Sequence, residues 1–260
     1  MRRLPGDERR ADIVRRAKSV GIGTVAELAA AYQVAASTIR RDLAELTRAG
    51  ELARTYGGAI PVLTSHEASM KQRLGEAFEA KRAIAHRAAA DIQPGETVLL
   101  DAGSTVSALA HELRSTEGVT VVTASLDAMM ILADAPQVHV ECLGGTLRHL
   151  SHGLVGPLTE IALERMTFDR VFLGGDGVSA ADGINEADLR QTRVKEVMAA
   201  QSAKTYVLAH AAKLGHRPFH AWAPLPNGWT LITDEAADPV AVAEFRSHGV
   251  DVQIASASRD

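Results

Sequence analysis

The sequence predicts an α/β protein of two unequal domains, and three observations predict it. Residues 13–50 hold three short segments with helical apolar spacing, followed by two short strand-like runs about a Tyr-Gly-Gly turn. From Val98 onward, apolar β-branched runs alternate with helical segments. The charge also changes sign along the chain: residues 1–60 carry 11 Lys and Arg against 7 Asp and Glu, and residues 61–260 carry 17 against 25. A length of 260 residues exceeds one average domain, and 46% apolar residues suffice for a packed core. A basic small unit on an acidic body points to a polyanion as partner of the small end, although an excess of this size decides little alone.

In the first domain, Ile13, Val14, Ala17 and Val20 share one helical stripe, with Gly21 as the stop. Thr24 and Glu27 have capping-box spacing, and the helix they open carries Leu28 and Tyr32 and runs out near Gln33. A third helix ends at Gly50. At 100° per residue its Ile39, Leu43 and Leu46 point inward, while Ser37, Arg41, Ala44 and Arg48 point outward and Arg40 lies on the flank. Small residues and arginines on one face suit phosphates and guanine edges, and equally suit an ordinary solvated helix. The ELARTYGGAIPV hairpin that follows completes the outline of a winged helix-turn-helix.

Residues 61–75 are polar and contain Pro61 and Thr64-Ser65, which predicts a linker. A larger domain is expected over 76–260. Helices are predicted near 80–91, 107–113, 126–133, 158–166, 188–200 and 239–247, and strands at VLLDA, VTVVTAS, VHVECLGG, RVFLGGDG, TYVLAH, WTLIT and DVQIA. Apolar strands separated by helices imply a mainly parallel sheet covered on both faces, with ligands at the carboxyl ends of its strands. Those ends read Asp101-Ala-Gly103-Ser104-Thr105, Thr123-Ala-Ser125, Gly144-Gly145 with Arg148 beyond, and Gly174-Gly175-Asp176-Gly177. Backbone N–H groups beside hydroxyls favour an anion, and Asp101 and Asp176 favour sugar hydroxyls. A phosphate flanked by hydroxyls describes a sugar phosphate. DAGST lacks the lysine and spacing of a Walker A loop, and no GxGxxG marks a dinucleotide site, so no cofactor is expected.

Two long stretches resemble one family. Thr38-Ile39-Arg40-Arg41-Asp42-Leu43, Ala49-Gly50-Glu51-Leu52 and Arg54-Thr55-Tyr56-Gly57-Gly58-Ala59 resemble the DNA-binding signature of DeoR-type transcriptional regulators, as does Val25-Ala-Glu27-Leu28-Ala29 upstream. LLDAGST, VVTASL, LGGTLR, SHGLVGP, FLGGDGV, RVKEVM and AAKLG resemble that family's sugar-phosphate sensor domain, whose fold is similar to ribose-5-phosphate isomerase and glucosamine-6-phosphate deaminase. The resemblance implies DNA contacts from Ser37, Thr38, Arg40, Arg41, Arg48, Arg54, Tyr56, Gly57 and Gly58. It implies ligand contacts from Asp101, Gly103, Ser104, Thr105, Ser125, Gly145, Arg148, Gly175, Asp176, Lys195 and Lys213, the two lysines as point charges toward the phosphate.

Five positions, at four places in the chain, depart from the family pattern. Ala35 replaces a serine able to cap the recognition helix, for which Ser37 offers a later start. His210 and Ala211 stand where aspartate and serine are common, Gln191 where glutamate is frequent, and Ala124 where asparagine is usual. The last three places change the polarity of the crevice.

These features imply a cytoplasmic repressor of carbohydrate genes, a homo-oligomer (dimer or tetramer) on a double-stranded DNA operator, controlled by a phosphorylated sugar or polyol. The competing expectation is a sugar-phosphate isomerase or deaminase carrying a DNA-binding domain. Such chemistry needs a positioned base, for which Asp101, Asp176 and His210 are the available side chains, but no acid–base pair stands out and no catalytic residue is assigned. His149 with His152, and His210, His216 and His220, lack metal-ligand spacing, so no metal is expected. No apolar stretch is long enough to span a membrane, MRRLPGDERR has no apolar segment behind it to make a secretory signal, and the single Cys142 suits a reducing compartment.

Overall fold

A computed structural model describes residues 5–20, 24–48, 52–55, 58–61 and 67–256, with residues 17–20, 47, 48, 52–55 and 58–61 described by backbone alone. The chain divides into two compact units, Met1–His66 and Glu67–Asp260.

The first unit contains α1 (Gly6–Val20), α2 (Val25–Tyr32) and α3 (Ala36–Arg48), then the antiparallel pair β1 (Leu52–Thr55) and β2 (Gly58–Pro61). The apolar stripes predict its core: Ile13, Val14, Leu28, Tyr32, Ile39, Leu43 and Leu46 form one buried cluster. Thr24 caps α2 as its spacing predicts, its Oγ1 accepting the Glu27 N–H at 3.3 Å while Glu27 Oε2 accepts the Thr24 N–H at 2.7 Å. Gln33 ends α2 in the left-handed region, with φ of 53°. The predicted stops Gly21 and Gly50 lie outside the described residues. Tyr32 Oη donates to Asp12 Oδ2 at 2.8 Å and ties α2 to α1.

The second unit contains α4 (Met70–Gly75), α5 (Phe78–Ala89), β3 (Thr97–Leu100), α6 (Ser104–Leu113), β4 (Thr120–Thr123), α7 (Leu126–Leu132), β5 (His139–Cys142), β6 (Thr146–Arg148), β7 (Gly153–Val155), α8 (Pro157–Leu163), β8 (Phe168–Leu173), β9 (Gly177–Ser179), β10 (Gly183–Glu186), α9 (Leu189–Ala200), β11 (Ser202–Leu208), β12 (Ala221–Ala223), β13 (Thr230–Asp234), α10 (Pro239–Ser247) and β14 (Asp251–Ala255). Seven parallel strands form the main sheet in the order β14-β13-β11-β8-β3-β4-β5. β9, β10 and β12 form a small antiparallel sheet, and β6 pairs with β7.

Both faces of the parallel sheet are buried, which is why its strands read as continuous apolar runs. Along β3, Val98 and Leu100 join the core that includes Ile84, Leu109 and Leu132 from α5, α6 and α7. Leu99 joins the opposite core, with Leu163, Met198 and Phe245 from α8, α9 and α10. β3 leads to β4 and β5 on one side, whereas β8 pairs on the other side of β3. The strand order therefore reverses at β3 and β8, the place where open α/β sheets leave a crevice.

Three expectations change. The stretch 61–75 is not one linker: Pro61 belongs to β2, and α4 occupies Met70–Gly75 with a capping box between Ser69 and Gln72. The helix predicted from Ser107 starts at Ser104, so Ser104 and Thr105 lie in its first turn. The two small antiparallel pairings, β6–β7 and β9–β10–β12, have no counterpart in the predicted elements, because strands of three or four residues give too short a pattern to read. Among the described residues, no helix is long and apolar enough to cross a membrane.

Candidate functional site: recognition helix and strand-end crevice

On α3 the wheel is realised. Ile39, Leu43 and Leu46 are buried, while Ser37, Arg40, Arg41 and Ala44 are exposed and Thr38 is half-buried. The side chains of Arg48 and Arg54 and all of Tyr56 and Gly57 lie outside what is described, and Gly58 is described by backbone alone, as the first residue of β2. α3 begins at Ala36, and the Ala35 carbonyl accepts the Thr38 and Ile39 N–H groups at 2.9 and 3.3 Å. Ser37 therefore sits inside the first turn and does not start the helix later, which corrects the expectation of a substitute cap. Between the exposed Arg41 and the core sits Asp42, which is 2% exposed. It accepts from Arg9 Nε at 2.7 Å and from Arg10 Nη1 at 3.4 Å, fastening the recognition helix to α1. Sequence reasoning assigns Asp42 no role because Arg40-Arg41-Asp42 reads as a run of solvated charge.

The crevice forms where β3 and β8 end side by side. Asp101 Oδ2 accepts the Gly174 N–H at 3.0 Å. Lys195, on α9 and fully buried, donates to Asp101, to the Gly174 carbonyl at 3.0 Å, and lies 3.1 Å from Glu186 Oε1. An ammonium has three donors, and three acceptors surround this one. Lys195 is thus a buried brace between β3, β8 and β10, a different use from the phosphate-facing point charge expected of it. Burial opposes its charge, but Asp101 and Glu186 outweigh burial and hold its pKa above the ordinary value. For Glu186, burial wins over the attraction of Lys195, and with Asp176 and Asp101 nearby its carboxyl is pushed up to about 7.

Gln191 explains itself in this setting. Its Nε2 donates to Glu186 Oε2 at 3.0 Å. A glutamate there would put a second carboxylate against a buried one, at a large cost in charge repulsion. Gln191 Oε1 and Asp176 Oδ2 are buried with no hydrogen-bond partner among the described residues. Near His210, the Ala211 N–H points at the Asp234 carboxylate, 3.3 Å from Oδ2. Burial, with Lys213 and Lys81 nearby, lowers the His210 imidazole to about 4.

The other predicted residues fall into three groups. Gly103, Ser104 and Thr105 open α6, with Gly103 at the cap position and no side chain capping the helix. A methyl group on Gly103 would meet nothing within 4 Å, so this turn faces open space. Ser125 is fully buried, its hydroxyl accepting the Ala128 N–H at 3.2 Å as the cap of α7. Gly145 is required by packing: a Cβ there would lie 2.1 Å from Thr159 Oγ1 and 3.0 Å from the Val155 carbonyl. A Cβ on Gly175 would likewise lie 2.5 Å from Ile184.

Charges gather around these turns. Lys213 donates to the Gly175 carbonyl. Lys81, which the sequence reading missed inside an ordinary helical stretch, is 4% exposed and donates to the Arg73 carbonyl. Burial and the neighbouring Lys213 bring the Lys81 amine down to about 8. Burial also lowers Lys213. Arg73, equally unforeseen, donates to Asp176 Oδ1 at 3.1 Å and to Glu67 at 2.7 Å. Arg148 pairs with the same Glu67, with Nη1 to Oε1 at 2.6 Å. A cavity of about 280 Å³ adjoins the first turn of α6, with Lys81, Ser104, Ser107 and Asp127 among its lining residues. Among the described residues, no group of three or more His, Cys, Asp or Glu is placed to hold a metal.

A helix-turn-helix unit with an arginine-bearing outer face, joined in one chain to a parallel α/β unit with a polar strand-end crevice, defines a ligand-responsive DNA-binding regulator. The comparisons with known proteins agree. The DeoR-like helix-turn-helix domain model matches residues 9–64, and the DeoR C terminal sensor domain model matches residues 76–235. The chain belongs to the DeoR family of transcriptional regulators. It is 36% identical over 217 residues to the HTH-type transcriptional regulator GlpR of Haloferax volcanii, covering 83% of this chain and 85% of that protein. It is 30% identical over 232 residues to the lactose phosphotransferase system repressor of Streptococcus mutans, covering 88% and 92%. These relatives are named as regulators, and none of the names describes an isomerase or deaminase. Among solved structures, ribose 5-phosphate isomerase A of Methanocaldococcus jannaschii aligns at 16% identity with a TM-score of 0.39, over 51% of this chain and 52% of that one.

Proposed function

We propose that this regulator represses carbohydrate genes in the cytoplasm, and that a phosphorylated sugar or polyol in the strand-end crevice controls its hold on the operator. The observation that carries the effector class is the packing of Lys81 and Lys213 together. Lys213 is close enough to disfavour the charge on Lys81, and both lysines disfavour a charge on His210, which marks a place of positive potential. Beside them stand the open N-terminal turn of α6 at Gly103-Ser104-Thr105 and the donor-free Asp176 Oδ2. An anion suits the first two features, and a hydroxyl donor suits the third. Several relatives carry names of sugar-pathway repressors, which supports the same class.

Arg40 and Arg41 supply phosphate or guanine contacts, and a homo-oligomer, dimer or tetramer, presents two or more recognition helices to repeated half-sites. The effector acts only so far as it binds the two states of the regulator unequally. A thermal-shift screen of phosphorylated sugars and polyols tests the reading. A ligand held at about 100 times its dissociation constant stabilises by about 2.7 kcal/mol, and Lys213→Ala abolishes the shift. If no member of the screen shifts the wild-type melting temperature, the effector class is wrong. If Arg41→Ala binds operator as tightly as wild type, the assigned DNA face is wrong.

A further inference from the structure

Glu67 occupies the place an anion would take. Its carboxylate accepts from Arg148 through both Nη1 and Nη2, the first at 2.6 Å, and from Arg73 Nη2 at 2.7 Å. The Glu67 side chain is 6% exposed, and both arginine side chains are 10% exposed. A guanidinium fork fits a phosphate as well as it fits a carboxylate. Arg73 also touches Asp176 Oδ1, whose other oxygen has no partner among the described residues, so the two arginines border the crevice itself. Arg148 keeps a second, longer contact with Asp188 at 3.4 Å.

We propose that Glu67 is an internal competitor for the Arg148–Arg73 pair, and that an anionic effector binds by displacing it. This rests on the crevice being the effector site. The sequence position of Glu67 gives the displacement its consequence. Residues 62–66 are all that separates Glu67 from Pro61, the last residue of β2 in the DNA-binding unit. The chain beyond Glu67 is anchored independently. The Met70 N–H donates to the Leu150 carbonyl at 2.9 Å, Ser69 caps α4, and Met70 is 1% exposed. Displacement therefore frees Glu67, the first described residue after Pro61, while α4 stays in place. It also filters ligands. A tethered carboxylate acts at an effective concentration on the order of millimolar, so a bare anion competes poorly. A molecule that adds hydroxyl contacts to Asp176 competes well.

The test uses the full-length chain and inorganic phosphate. If Glu67 holds the arginines about nine-tenths of the time, Glu67→Gln binds phosphate about tenfold more tightly than wild type. Adding Arg148→Gln removes that gain. In wild type, saturating phosphate raises hydrogen exchange at Glu67 and Ala68 and leaves Ser69 and Met70 protected, a readout that needs no variant to fold. Equal phosphate affinity in wild type and Glu67→Gln, with exchange at Glu67 and Ala68 unchanged by phosphate, overturns the competitor while leaving a phosphate-binding crevice that Lys213→Ala still weakens. Failure of both proteins to bind phosphate overturns the crevice reading and the competitor together.

Discussion

Asp101 and Lys195, far apart in the chain, meet in the interior, where the Asp101 carboxylate takes both the Lys195 ammonium and the Gly174 N–H. The ends of β3 and β8 are thereby held at fixed separation under the crevice. Lys195→Met would leave Asp101 and Glu186 buried beside each other without their cation. The expected loss is about 3–5 kcal/mol of unfolding free energy. Asp101→Asn made together with Lys195→Met loses less than the sum of the two single changes, by roughly 1–3 kcal/mol. Denaturant melts of the four proteins measure this, and strict additivity would show that the pair is not coupled.

Asp42 carries a prediction about the DNA-binding unit alone. Its side chain and that of Arg9 are 3% and 9% exposed. Asp42→Ala takes the carboxylate away from a buried guanidinium and costs about 3 kcal/mol. Hydrogen exchange in α1 and α3 rises, exchange in the seven-stranded sheet does not, and operator affinity falls although Asp42 is buried behind the exposed face of α3. An undisturbed α1–α3 pair would refute the fastening role.

His210 predicts a pH dependence with a definite sign. Its imidazole titrates near 4 in the folded chain and near its ordinary 6.5 in the unfolded one. Between those values the unfolded state binds more protons, so this group's contribution to stability is complete above 6.5 and is lost as the pH falls toward 4. Glu186 acts in the opposite sense: its carboxyl, raised from 4.5 to about 7, makes stability fall as the pH rises through that window. His210→Gln removes the first contribution and keeps the second. The melting temperature of the variant, scanned from pH 4 to 7.5, declines less toward acid than that of wild type; parallel curves would mean that His210 is not buried as a neutral ring.

Gly145 predicts a packing failure. Alanine there places a methyl group 2.1 Å from Thr159 Oγ1. Gly145→Ala is expected to cost about 1–3 kcal/mol. Thr159→Ala in the same chain recovers part of it, because the Val155 carbonyl, 3.0 Å from the new methyl, remains in the way. Full wild-type stability in Gly145→Ala would show that the Gly144-Gly145 turn has room to move.

The readable parts of the sequence were those governed by period and by caps. Ile39, Leu43 and Leu46 announced the buried face of α3, Thr24 and Glu27 the start of α2, and Val98-Leu-Leu100 a strand buried on both faces. The adjacency of the glycine-bearing strand ends followed from the parallel sheet. What stayed hidden depends on partners distant in sequence. Lys195 reads as one more helical lysine until Asp101 and Glu186 close around it. Glu67 and Arg73 sit in a polar stretch that resembles a connector, and only the tertiary structure sets them against Arg148 and Asp176. Lys81 lies among apolar residues of α5, where a long side chain is expected to reach solvent, yet it folds back onto the Arg73 carbonyl. The fold was therefore largely legible, whereas the electrostatics of the crevice were legible only in residue type.

Cys142 ends β5, paired with Thr123 at the last rung of the sheet, and it is exposed. It is also the only cysteine in the chain. A thiol-reactive fluorophore will therefore attach at one site without any change to the sequence, two residues before Gly144-Gly145 and at the same end of the sheet as the crevice, two strands from β3. Titrations of candidate effectors can be followed optically on the native protein, with the dye reporting from the end of the sheet at which the proposed site lies.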